Sequence, residues 1–281
     1  MRAEDLAALR ENVAEIRRTA GALERLTELQ IASLAADVTD VTDAATLFRA
    51  AFGDTVATAE HASFCRHLLS GMTDSGKITA LLPEFTPLGE TYDGGDTAYP
   101  LNPFTDAAFR KFAAGNPQLR ALPQPSFNAA CEEVYHGRAH YCILPLRNTE
   151  DGILSSFSHL MSKYELKIFR ICDVAAEDGD SVIRFALLRR GAIPYVPENG
   201  YFKIGAVLPE SLPLSAFLSA AETLGACTEQ LHTVPSAFAR GLTSLAVTFR
   251  ITPKSMAPLL LFLRTTLDGY TVDGIYEEAK T

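Results

Sequence analysis

The chain has 281 residues, 47% of them hydrophobic and 21% charged, and its 34 acids against 25 bases give a formal net charge of −9. That is the make-up of a globular protein with room for two small domains. The acidic balance argues against a general nucleic-acid or anionic-membrane binder, because neutralising phosphates needs clustered Lys and Arg, and no apolar run reaches the roughly 18 residues of a bilayer span. From the N-terminus, Leu6, Leu9, Val13, Ile16, Leu23, Leu26 and Leu29 recur mostly at three- and four-residue steps between charged positions. This predicts an amphipathic helix over 3–36, weakened at Gly21. A second helical stretch covers 42–69 and breaks at Gly53. Between Gly71 and Pro100 stand five Gly and three Pro, which predicts linker and loops around one short strand at 77–82.

Beyond that point the grammar alternates. A helix is expected over 104–114 with Thr105 as N-cap, a short extended piece at 119–122, a helix capped by Ser126 and running to 135, and a strand at 140–146. A helix at 153–164 and strands at 166–174 and 182–188 follow, the order expected of a layered α/β domain with a parallel sheet. After the turn-rich residues ending at Gly200 the expected order is strand 201–208, helix 212–224, strand 227–234, strand 242–251, helix 254–267 and strand 270–276. That is βαββαβ, a ferredoxin-like split sheet with two helices on one face, with Gly225 and Gly269 placed to end the helices. The fold class is therefore mixed, α/β and α+β. The expected division is a helical region 1–72, a linker 73–96, an α/β lobe 97–192 and a C-terminal module 200–281.

The five cysteines are scattered and form no CxxC, so neither a disulfide framework nor a zinc site follows. His136 and His140 are the one i, i+4 histidine pair and straddle a turn without a third ligand, so no metal is expected. No P-loop, GxGxxG or GxSxG occurs, and no cofactor is expected. The N-terminus lacks the compact apolar segment of a signal peptide, which makes a cytoplasmic protein the expectation.

Residues 136–174, HGRAHYCILPLRNTEDGILSSFSHLMSKYELKIFRICDV, resemble the prephenate dehydratase family: Pro145, Asn148 and Gly152 match its motif, while Arg147 stands where the family has an acid. Upstream, Pro100, Phe104, Thr105, Asp106, Ala107 and Ala108 match the family's opening loop, with Tyr99 replacing its glycine. Downstream, Arg184 and Phe185 match its Thr-Arg-Phe strand, with Ile183 replacing the threonine, and the βαββαβ module is similar to the ACT domain appended to the family. The resemblance spans about 97–276 and implies phenylpyruvate formation from prephenate in a cleft between two lobes. Here only AAEDGD, residues 175–180, stands where the family has its second lobe.

Expelling a ring hydroxyl needs a positioned proton donor, and binding carboxylates needs cations or backbone donors. The resemblance thus marks Arg184, Thr149, Asn148 and Thr105 as candidate catalytic residues, and Arg184, Asn148, Thr149 and Arg147 as candidate substrate contacts. Ile183 offers no hydroxyl. Arg184 is read either as a bidentate carboxylate binder or as half of a structural ion pair. Leu212, Pro213, Leu214, His232 and Thr233 occupy the family's effector-binding positions, with the loop glycine and most of the Glu-Ser-Arg-Pro segment absent. The long N-terminal helix is faintly similar to helical chorismate mutases.

Three functions stay open. One is a catalytically degenerate relative that binds a small dicarboxylate or an aromatic amino acid and regulates. Another is a remodelled enzyme acting on prephenate or chorismate, as dehydratase, decarboxylase or mutase. The third is a structural dimerisation protein. A homodimer through the ACT-like module is expected in each.

Overall fold

A computed structural model describes residues 3–34, 38–52, 58–72, 94–148, 152–153, 155–175, 181–190, 197–234 and 243–279. Three helices come first, α1 (Ala3–Leu34), α2 (Val41–Phe52) and α3 (Thr58–Gly71). Next come β1 (Gly95–Pro100), α4 (Pro103–Ala114), β2 (Leu119–Gln124), α5 (Phe127–Tyr135), β3 (Tyr141–Asn148), β4 (Gly152–Ile153), α6 (Ser155–Lys163), β5 (Leu166–Ala175) and β6 (Val182–Arg190). The chain closes with β7 (Gly200–Leu208), α7 (Leu214–Thr223), β8 (Cys227–Val234), β9 (Thr243–Ile251), α8 (Pro253–Thr266) and β10 (Tyr270–Glu278).

All the strands join one sheet in the order β2-β1-β3-β6-β5-β10-β7-β9-β8, with β4 paired beside β3. The last four strands have the split βαββαβ order expected of the C-terminal module. The sheet before them is mixed, not parallel. β1 runs parallel to β2 and β3, but β6 is antiparallel to both β3 and β5. Only 176–181 separate β5 from β6, and a parallel return needs a crossover of about a dozen residues, so this connection can close only a hairpin. β10 then pairs parallel with β5, which fuses the two halves into one sheet. At that seam Gly274 lies so close to Ile168 that an added Cβ would sit 2.5 Å from its carbonyl oxygen.

Strand alternation sorts the core into two faces. On β3, Tyr141 and Ile143 pack with α4 on one face, while Cys142 and Leu144 pack with α5 and α6 on the other. On β7, Phe202, Ile204, Ala206 and Leu208 point to α7 and α8, while Tyr201 leans on the α6 side. The N-terminal helices extend the α7/α8 core, to which they contribute Ile31, Phe48, Phe64 and Leu68. They stack on the C-terminal module and not over the lobe at 97–192.

Several local expectations are corrected. β1 is a strand where loop was expected: its short GDTAYP run has no alternation to read, being buried at Thr97, Ala98 and Tyr99 as a parallel strand covered on both faces. Asn102, not Thr105, caps α4. The Asn102 side chain accepts from the backbone of Phe104 and Thr105, and Thr105 completes a capping box. α7 starts at Leu214 after Pro213 as N-cap, two residues later than expected. Gly225 ends α7 with φ +81°, a conformation L side chains rarely adopt, whereas α8 ends at an extended Leu267 and Gly269 has no left-handed backbone. Ser126 caps α5 as expected. The strand expected at 77–82 lies outside the described residues.

Candidate functional site

The helices of the C-terminal module occupy one face of β7 to β10, and among the described residues the other face is uncovered up to the edge of α6. A cavity of 180 Å³ forms there, lined by Arg147, Arg184, Tyr201, Lys203, His232 and Tyr276 among others. β3 and β6 place Arg147 opposite Arg184 by register, and β5 places Asp173 opposite Arg184 on its other side. The floor is aromatic: Tyr201 and Tyr276 face each other across β7 and β10, with ring centroids 5.4 Å apart and planes 25° from parallel.

Three cations reach this groove, and two are engaged. Arg184 donates from Nε and Nη2 to the two carboxylate oxygens of Asp173, each at 2.6 Å, with Glu278 at 3.9 Å. That bidentate hydrogen bond holds the Asp173 carboxyl below its usual range and raises the Arg184 guanidinium. Lys203 lies 3.6 Å from Asp273. Arg147 forms no ion pair among the described residues, and its charge adds to that of Arg184 in lowering the Asp173 carboxyl.

The hydroxyls of the groove are weak acids. Burial pushes the Tyr276 phenol up to about 12 against an opposing hydrogen bond from Thr248. Burial, then the charges of Glu278 and Glu229, raise the Tyr201 phenol too. Neither is poised to release a proton near neutrality.

The opposite face of β6 is filled. Ile183 packs against the cluster that holds Phe185, Ala108, Phe112 and Tyr99. Tyr99 is buried, stacks on Phe109 at 5.2 Å and is pushed up to about 12 by burial and by the Asp106 charge. The hydroxyl of Thr105, also buried, donates to the carbonyls of Pro100 and Asn102 within the α4 cap.

The expected site residues therefore divide. Arg147, Arg184 and His232 line one groove, although Arg147 and Arg184 were read as substrate contacts and His232 as an effector contact. Thr105 stands apart in its cap. Asn148 ends β3, with its backbone paired to Ile183 and Gly152, and Thr149 lies outside the described residues. Leu212 is buried in the helix-side core with Leu214 packed on it, and Pro213 caps α7, so these three lie across the sheet from His232. Thr233 is exposed on β8. Sequence reasoning missed Tyr201, Tyr276, Thr248 and Asp173. Only strand alternation signalled the first two, which sit beside the helix-facing Phe202 and Ile275.

Among the described residues no three or more His, Cys, Asp or Glu side chains gather as a metal site, and no helix is long and apolar enough to cross a membrane. A search of curated proteins finds no match. The prephenate dehydratase family model matches residues 100–175. Among solved structures, prephenate dehydratase from Streptococcus mutans aligns with a TM-score of 0.52 at 18% identity, over 66% of this chain and 99% of that one. The enzyme from Arthrobacter aurescens, solved with L-Phe, gives 0.51 at 16% identity, over 66% and 90%. A protein described as a novel type of quorum-quenching acylase aligns with a TM-score of 0.49 at 17% identity, over 64% of this chain and 94% of that one. Residues 100–175 are thus similar to the prephenate dehydratase family, and the fold is similar to that of its solved members.

Proposed function

We propose that this is a prephenate dehydratase-like protein of phenylalanine metabolism that has lost dehydratase turnover and acts by binding a small ligand, as a regulator, with residues 200–281 as its ACT-like module. One observation carries the reading. Two positions where the chain departs from the family's motifs, Tyr99 for glycine and Ile183 for threonine, belong to one apolar cluster. The elimination needs a proton donor where the hydroxyl leaves, and an aliphatic side chain packed among rings supplies none. Loss of one such acid costs about 10²- to 10⁴-fold in rate. The nearby Thr105 hydroxyl is held by its cap, and 176–181 are too few residues to build a second lobe.

Binding has better support than catalysis. The groove offers Arg147 to a carboxylate and the Tyr201/Tyr276 pair to an apolar ring, while its phenols are poor acids at neutral pH. Phenylpyruvate formation from prephenate, measured on purified protein, should stay at background. Calorimetry should detect prephenate or phenylalanine, and Arg147→Ala should weaken that binding about tenfold or more. Turnover at a rate like that of ordinary family members would overturn the loss of catalysis. Absence of binding by both compounds would favour a structural role.

A further inference from the structure

The groove leaves one feature of the sequence unused, the His136/His140 pair, and the fold sets both residues on a second cavity. This cavity, of 560 Å³, lies where α5 ends, β3 begins and β6 finishes, and Arg189 and Arg190 share its wall with the two histidines. The groove takes Arg147 near the far end of β3, about 20 Å away at about 3.3 Å per residue, so the two sites are separate. In a chain of net charge −9, the described lining of this cavity holds two arginines and two histidines and no Asp or Glu. Acids on the neighbouring elements are taken up by other arginines: Glu133 accepts from Arg138 at 2.8 and 2.9 Å, and Asp96 lies 3.0 Å from Arg120. Glu165 lies 2.9 Å from Arg190, but that pair is solvent-exposed and yields readily to a stronger anion.

We propose that this cavity binds the phosphate group of a small phosphomonoester. The fold sets the donors in place. The His140 ring packs so closely on Gly95 that an added Cβ there would sit 2.5 Å from its Cγ, and Arg190 lies over the Tyr135 ring at 4.6 Å while its Nη1 donates to the Tyr135 carbonyl at 3.1 Å. Capping the C-terminus of α5 accounts for Arg190, but not for His140 or the buried Arg189, which stand at the end of the sheet. The same set repels a metal, since two imidazoles beside two guanidiniums offer no third ligand and carry the wrong charge. One guanidinium fork satisfies a planar carboxylate by itself, whereas a phosphate carries three terminal oxygens and takes N–H donors from several sides, which this wall supplies. A bare phosphate leaves most of the 560 Å³ unfilled, and Val134, Tyr135, Ala139 and Tyr141 complete the wall with surface for an apolar or aromatic organic part.

Calorimetry of the full chain should detect phenyl phosphate with a dissociation constant below about 1 mM, and benzoate and inorganic phosphate each at least about tenfold more weakly. Gly137 lies in the wall at φ +73°, a conformation that Asn and Asp tolerate best among residues with side chains, and an added Cβ there would meet nothing within 4 Å. Gly137→Asp should therefore weaken phenyl phosphate at least about tenfold by like charge, while Gly137→Asn, of nearly the same shape, retains it within about twofold. His136→Glu, at an exposed position, makes the same charge reversal without straining the backbone, with His136→Gln as its control. Arg147→Ala, in the groove, should leave this binding unchanged. No binding of phenyl phosphate up to about 10 mM, binding indifferent to both Gly137→Asp and His136→Glu, loss of binding in Arg147→Ala, or benzoate or inorganic phosphate bound as tightly as the ester would each overturn the proposal.

Discussion

Arg184 and Asp173 face each other across the β5–β6 hairpin, and the carboxylate takes both prongs of the guanidinium at 2.6 Å. The residue that motif matching marks as a carboxylate binder therefore already holds a carboxylate of its own chain. A ligand must displace Asp173 or bind Arg147.

Asp173→Asn should accordingly have two opposed effects. The fold should lose about 1–2 kcal/mol, less than a fully buried pair because Asp173 is about half exposed. A carboxylate ligand should bind more tightly, since Arg184 becomes available. Urea denaturation and calorimetry on one preparation measure the two together.

Ile183→Thr returns the family's hydroxyl to the strand but should not restore phenylpyruvate formation. The side chain packs against the cluster of Phe185 and Tyr99, and among the described residues no second lobe covers it. The cost in stability should be on the order of 1 kcal/mol, from a lost methyl and a hydroxyl set among apolar groups. Rapid turnover by this variant would show that the scaffold needed the hydroxyl alone.

His61 should make the helical layer sensitive to acid. It is stacked on Phe48 at 3.9 Å, its ring nitrogens lie 2.9 and 3.4 Å from the Thr265 and Thr266 hydroxyls, and burial lowers its pKa from 6.5 to about 4. The unfolded chain then binds the extra proton between those values. The stability held by the neutral ring is present above pH 6.5 and falls as pH drops toward 4, by about 3 kcal/mol in all. Urea midpoints at pH 7 and pH 5 should differ accordingly, and His61→Phe should flatten the difference.

Gly274→Ala tests whether the two halves of the sheet unfold together. A Cβ there would meet the Ile168 carbonyl oxygen at 2.5 Å and its Cβ at 2.8 Å, so β10 must draw away from β5. The expected cost is about 1–3 kcal/mol. Hydrogen exchange should quicken along the β5–β10 seam before it does along β7–β9.

The amino-acid pattern by itself determined most of the elements. Ser126 and Gly225 ended their helices where expected, and alternation in β7 and β9 announced the βαββαβ order, because caps and periodicity are local and act through residues a few positions away. Asn102 outcompeted Thr105 as a cap since a carboxamide oxygen can accept from two amides at once. β1 escaped notice because a strand covered on both faces shows no alternation.

Tertiary structure alone decided the rest. Alternation states which side of a strand is apolar but not which strand lies beside it, so the antiparallel turn of β6, the β5–β10 seam and the seat of α1 to α3 on the C-terminal module were settled only by global packing. The groove follows from that pairing. Arg147, Arg184, Tyr201 and Tyr276 stand far apart in the chain, and they meet because four strands are neighbours or near neighbours in one sheet, on the face that the helices of the C-terminal module leave.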